Sequence, residues 1–364
     1  MKKAGLVLLA GSIVAGALAV GTPAHSQALT TPCPVSSLSG IAFADSLHGT
    51  AVGVDTCHAG VVLQTGNGGA TWVRRTLPPG QLRLNAVSQP DRCHVWAVGD
   101  TLSQQGGPGI ALATSNCGAT WSRQTVPQAD FLDGVSFVDD LHGWAGGGFY
   151  GAGNSVVFAT SNGGKTWADQ TGAGASTLTR GLWAIKFVNT LQGWAVGADE
   201  SGPVGAIIAT VDGGITWTRQ DFVNDYIRDV DVNRDGLHGW VVGLAGNVGS
   251  ASLGIWTTVD GGHPWIPAMV PTDNMFFTGV SFSGTSTGWV VGSASVGSPP
   301  KYSLVILKST DGGSTWVRQP GPAGVGFDKV AALSTTRVCA TGGALNVGMI
   351  FCSGTGGQTW KRTF

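Results

Sequence analysis

Short runs rich in Val, Ile, Phe and Trp, bounded by Gly, Asn and Asp, recur along almost the whole chain, whereas heptads and amphipathic helical stretches are absent. The runs fall into a repeat with three signatures. The first is an eight-residue stretch, Ser/Thr-x-Asp/Asn-x-Gly-x-Thr-Trp, at Thr65 to Trp72, Thr114 to Trp121, Thr160 to Trp167, Thr210 to Trp217 and Ser309 to Trp316. Two degenerate copies complete it, Thr258 to Trp265 with Pro264 in place of Thr, and Ser353 to Trp360 with Thr355 in place of Asp. Upstream of each lies a Gly-Trp-Ala-Val-Gly-like run, from Gly49–Gly53 through Gly193–Gly197 to Cys339–Gly342. Earlier still, an apolar residue is followed three positions later by Val or Ile: Leu38/Ile41, Leu84/Val87, Leu132/Val135, Leu182/Ile185, Ile227/Val230, Phe277/Val280 and Phe327/Val330.

The closing tryptophans are spaced 44 to 51 residues apart, and each unit supplies four short strands. Such a period predicts an all-β, seven-bladed β-propeller with four antiparallel strands per blade. One blade cannot bury both faces of its sheet, so neighbours stack and the ring closes around a channel lined by first strands. The eight-residue run reads as the turn between strands 3 and 4. Its Asp or Asn accepts N–H groups of its own hairpin, its glycines allow positive φ, and its Trp packs between blades. Because Asn67, Asn116 and Asn162 stand where other copies carry Asp212, Asp260 and Asp311, this carboxylate is read as structural and not as a catalytic acid.

Composition adds an address and removes one class of partner. Charged residues make up only 11% of the chain and its formal charge is −1, without a basic stripe, so nucleic acid is not an expected partner. Residues 1–28 read as a cleaved secretory signal, with Lys2 and Lys3 ahead of an apolar stretch from Leu6 to Val20 and small residues at Ala24, Ser26 and Ala28. A segment 29–37 then leads into the propeller, residues 38–364. The expected destination is periplasmic, lumenal or extracellular. An even count of six cysteines in an exported chain reads as disulfides, and six allow 15 pairings. The repeat narrows these. Cys339 and Cys352 fall on neighbouring strands of the last unit and Cys93 and Cys117 within the second, leaving Cys33 with Cys57. No spacing suggests a metal or a cofactor, and the expected state is a monomer.

With these motifs in view, the eight-residue run resembles the Asp-box, or bacterial neuraminidase repeat, of sialidases and other propeller glycosidases. The fuller unit resembles the photosystem II stability and assembly factors, which are exported seven-bladed propellers. The likeness covers residues 38–364. It implies a non-catalytic scaffold that binds a protein partner, such as a membrane complex or its nascent subunit. The glycosidase side of the likeness implies the alternative, a glycan-binding or glycan-hydrolysing propeller. Sialidase chemistry would need an arginine triad and a Tyr nucleophile, yet Arg74, Arg123, Arg219, Arg318 and Arg362 all belong to the repeat, two positions after a box Trp.

Strand order puts the box turns and the turns between strands 1 and 2 on one face. His48, His142 and His238 sit there in register and read as structural. The opposite face carries the irregular loops between strands 2 and 3, as binding surfaces tend to. At the channel mouth on that face, the candidate binding residues are Arg83, Asp133, Trp183, Arg228 and Asp328 near the starts of first strands, with Asp130, Arg180 and Tyr226 just before them. Lys186 and Asp231 occupy equivalent positions of adjacent blades and are expected to pair.

Overall fold

A computed structural model describes residues 32–102, 107–150, 153–175, 178, 181–199, 204–223, 226–244, 254–270, 275–296 and 301–364. The signal segment and Arg180 lie outside the described residues. Seven four-stranded antiparallel sheets follow one another, each made of four consecutive strands in simple meander order. The first strands are Val35–Phe43, Leu82–Ser88, Phe131–Phe137, Leu182–Phe187, Ile227–Val232, Met275–Ser283 and Gly326–Ala332. Fourth strands are short, often two residues, as in Val73–Arg74 and Val317–Arg318. Short outer edges offer little unpaired backbone to other chains.

The core lies between blades. Trp96, Val98 and Ala111 of blade 2 pack with Leu132, Val135, Phe137, Phe158 and Trp167 of blade 3, and the same mixture recurs around the ring. Each such side chain contributes about 1.5–3 kcal/mol when buried, so the blades stabilise one another far more than themselves. The Trp of the second strand is the recurring anchor. Trp96 stacks on Phe137 at 3.6 Å and donates Nε1–H to the Gly163 carbonyl of the next blade at 3.1 Å. Trp144 repeats this on Phe187 and Gly213, and Trp240 on Phe282 and Gly312. The Trp that closes the eight-residue run meets the same Phe edge-on, at 88° for Phe137 with Trp167.

The corner between strands 3 and 4 is a closed set of hydrogen bonds. In blade 3, Thr160 Oγ1 donates to Asn162 Oδ1 and accepts Gly164 N–H, while Asn162 Oδ1 accepts Thr166 N–H at 3.0 Å. Asp212 makes the same bonds in blade 4, and the Thr216 hydroxyl and N–H hold its carboxyl down at about 2. In blade 7 the Thr355 hydroxyl takes over, accepting Thr359 N–H at 2.9 Å. An acceptor is required here and a charge is not.

The turns between strands 1 and 2 share this face. Asp45, Asp91, Asp139 and Asp235 each accept N–H groups of the turn and the Nδ1 of the following histidine, His48, His94, His142 or His238, at 2.7–2.9 Å. These histidines hold corners together, as expected, and His94 makes a fourth. All three expected disulfides form: Cys33 with Cys57, Cys93 with Cys117, and Cys339 with Cys352. They are consistent with an oxidising, exported location.

Candidate functional site: a ring of bulged residues at the channel mouth

Side chains alternate between the two faces of a strand, so two residues three apart cannot share a face unless one extra residue is inserted. Every first strand contains that insertion. Pairing with the second strand jumps between Leu38 and Gly40, Leu84 and Ala86, Leu132 and Gly134, Leu182 and Ala184, Ile227 and Asp229, Phe277 and Gly279, and Phe327 and Lys329. The skipped residues are Ser39, Asn85, Asp133, Trp183, Arg228, Thr278 and Asp328. A β-bulge re-aims the residue it leaves unpaired. Seven bulges in register therefore present one variable side chain per blade on an otherwise uniform scaffold.

The last glycine of the Gly-Trp-Ala-Val-Gly run is the counterpart of each bulge. A Cβ at Gly53, Gly99, Gly147, Gly197, Gly243, Gly292 or Gly342 would collide with the carbonyl oxygen of Ser37, Arg83, Phe131, Gly181, Tyr226, Phe276 or Gly326. These oxygens belong to residues immediately before the apolar residue that begins each bulge. The second signature thus exists partly to accommodate the third.

Most of the sequence candidates gather into two clusters. In the first, Arg83 binds the buried carboxylate of Asp100 through Nε and Nη2, at 3.1 and 2.8 Å, and reaches the Tyr150 hydroxyl at 3.2 Å. Asn85 donates to Asp100 and, at 2.7 Å, to Asp133 Oδ1. Asp130 accepts Tyr150 N–H at 2.8 Å and so fixes the loop that carries that ring. Burial pushes the Asp133 carboxyl up to about 6, against the pull of Arg83.

The second cluster is aromatic. The exposed guanidinium of Arg228 lies 4.5 Å from the Trp183 ring centroid and 5.5 Å from that of Phe276, while Tyr226 stands 6.0 Å from Trp183. Guanidinium over an indole face is a favourable arrangement worth about 0.5–1 kcal/mol at exposed sites. It holds the side chain over the ring. Asp328, exposed on the bulge of blade 7, joins neither cluster among the described residues.

Below the mouth the first strands line a cavity of about 880 Å³. Lys186 Nζ meets Asp231 Oδ1 at 2.9 Å, the expected pair, and Asp231 holds the amine above its ordinary range. Lys329 meets Asp229 at 2.8 Å. Both carboxylates also accept backbone N–H groups of blade 6, from Val280 and Phe282. These charges are spent on joining blades inside the channel, whereas Arg228 is exposed at its mouth. Asn85, Asp100, Tyr150 and Phe276 were not among the sequence candidates. The odd spacing of the third signature was the signal for Asn85, because it implies a bulge and fixes which residue is extruded.

No family model matches the chain, and no curated protein matches it. Solved structures do. A structure of YCF48 bound to D1 peptide is 20% identical with a TM-score of 0.60, covering 85% of this chain and 90% of that one. YCF48 from Cyanidioschyzon merolae is also 20% identical, with a TM-score of 0.58 over 88% and 97%. The GH74 enzyme of Niastella koreensis is 16% identical with a TM-score of 0.64, and the match spans 91% of this chain but only 54% of the enzyme. The propeller scaffold is what these likenesses share with the chain.

Proposed function

We propose that the protein is an exported, non-catalytic binding scaffold that grips a polypeptide segment at the channel mouth. In its sharpest form it assists assembly of a membrane protein complex, as the photosystem II assembly factors do, and acts as a monomer without a cofactor. The observation that carries this reading is the bulge ring. Seven bulged side chains of six kinds are displayed around one opening, and the exposed Arg228 lies over the Trp183 ring. Such a surface offers charge, aromatic area and hydrogen bonds over a width suited to a chain rather than a single small molecule. The fold likeness to YCF48, which was solved with a D1 peptide, supports a polypeptide as the ligand class.

A glycan-binding or glycan-hydrolysing propeller is the second reading, favoured by the likeness to the Niastella koreensis GH74 enzyme. Against it, Arg228 covers the Trp183 face on which a sugar ring would stack. The test is capture of partners from the protein's own cells after mild crosslinking, using wild type and Arg228→Glu side by side. A protein recovered with wild type and lost with the variant supports the scaffold. Recovery of polysaccharide by both, or equal protein recovery by both, overturns it.

A further inference from the structure

The carboxylate of Asp133 is a half-satisfied charge at the mouth. Asn85 Nδ2 donates to its Oδ1 at 2.7 Å, while Oδ2 has no partner among the described residues and opens on the channel cavity. Three cations stand near enough to act on this carboxylate, and none bonds it. Arg83 is held by Asp100 through Nε and Nη2, Lys329 by Asp229 at 2.8 Å, and Arg228 lies over Trp183. Asp100 and Tyr150 complete the titratable groups that face Asp133. A carboxylate taken out of water in this way costs free energy until a charged donor meets it.

The surroundings leave room for such a donor and limit its shape. In blades 1 to 4 the residue after the bulge is Gly40, Ala86, Gly134 or Ala184, so the cavity wall beside Asp133 carries no long side chain there. The equivalent residues of blades 5 and 7, Asp229 and Lys329, close on each other instead. Trp183, the bulged residue of the next blade, adds an aromatic flank. Because Asn85 already occupies Oδ1, the fork of a guanidinium cannot engage both oxygens. An ammonium is a point charge that needs one oxygen, and a lysine brings it on a slim methylene stem that packs along a ring.

We propose that Asp133 is a subsite for a primary ammonium group, the side chain of a lysine in the polypeptide held at the mouth. That the ammonium arrives on a polypeptide rests on the scaffold function proposed above, whereas the preference for ammonium rests on the geometry around Asp133. The lysine Nζ–H donates to Oδ2 and its stem lies against Trp183. Only the ionised carboxylate attracts the ammonium. Affinity is therefore full well above pH 6, near which Asp133 titrates, and falls as the pH drops below it.

Fluorine NMR of the mature protein carrying 5-fluorotryptophan tests this, with the Trp183 signal assigned by its loss in Trp183→Phe. The probes are acetyl-Gly-Lys-Gly-amide, the same peptide with Nε-acetyllysine, and acetyl-Gly-Arg-Gly-amide. At pH 7.5 the lysine peptide is expected to bind roughly tenfold more tightly than the other two. At pH 5 that advantage is expected to shrink roughly tenfold, in step with protonation of a carboxyl that titrates at about 6. Asp133→Asn, which still accepts from Asn85, should remove both the preference and its pH dependence. Equal affinity for all three probes, a preference that survives in Asp133→Asn, or no shift of the Trp183 signal with any probe would overturn the subsite. Equal affinity would leave the scaffold function standing. A lysine preference lost in Asp133→Asn, with no protein captured from cells, would support the subsite and overturn the scaffold.

Discussion

Asp133 shows how one position can work against the fold and still be kept. Its carboxyl is a weaker acid in the folded protein, about 6, than in the unfolded chain at 3.8, because burial outweighs the attraction of Arg83. Ionisation of Asp133 therefore costs stability above about pH 6, and the cost fades as pH falls toward 4. Asp133→Asn, which still accepts from Asn85, is expected to gain on the order of 1 kcal/mol at pH 7.5. The gain should shrink on acidification and vanish below about pH 4, as read from urea midpoints across pH. A variant that is less stable than wild type at pH 7.5 would contradict the assignment. Glycines of the second signature carry the opposite kind of constraint. Gly197→Ala sets a methyl group against the Gly181 carbonyl, and a loss of about 2–4 kcal/mol is expected in the same measurement.

Elements extend these constraints into a repeated joint. The seven strand quartets, the corners and the disulfide pairs were legible because each depends on residue types at fixed offsets: Thr160, Asn162 and Gly164 in a corner, or Cys339 opposite Cys352 on paired strands. The bulges were written just as plainly in the spacing of Leu182 and Ile185, but reading them requires asking why two same-face residues are an odd number apart. Tyr150 and Phe276 were not legible, since their places depend on where a loop and a neighbouring blade come to rest. The joint itself can be graded. Gly261 O keeps a second donor, Gln220 Nε2, when Trp194 is lost, whereas Gly312 O receives Trp240 alone among the side-chain bonds of the described residues. Trp240→Phe is thus expected to cost about 1–2 kcal/mol more than Trp194→Phe in equilibrium unfolding. Equal costs would mean that the indole N–H adds nothing beyond packing.

At the scale of the molecule, the ring closes by side-chain packing between blade 7 and blade 1, with no exchange of strands. Leu38, Ala51 and Leu63 pack with Ile350, and Trp72 donates to Thr363 at 3.1 Å. Closure is then a property of the complete set of blades. Deleting residues 227–274, one whole blade, is expected to abolish cooperative unfolding, and a deletion variant that unfolds as sharply as wild type would refute that view. The same closure brings seven bulges to one opening, which is where the account places binding. Its most direct test is a photocrosslinking amino acid placed singly at Thr278 and Ser39 on the mouth, and at Leu191 and Val211 on the corner face, in cells that make the protein. Crosslinks to one polypeptide partner from the mouth positions, and none from the corner face, are the predicted result. Crosslinks confined to the corner face would contradict the account.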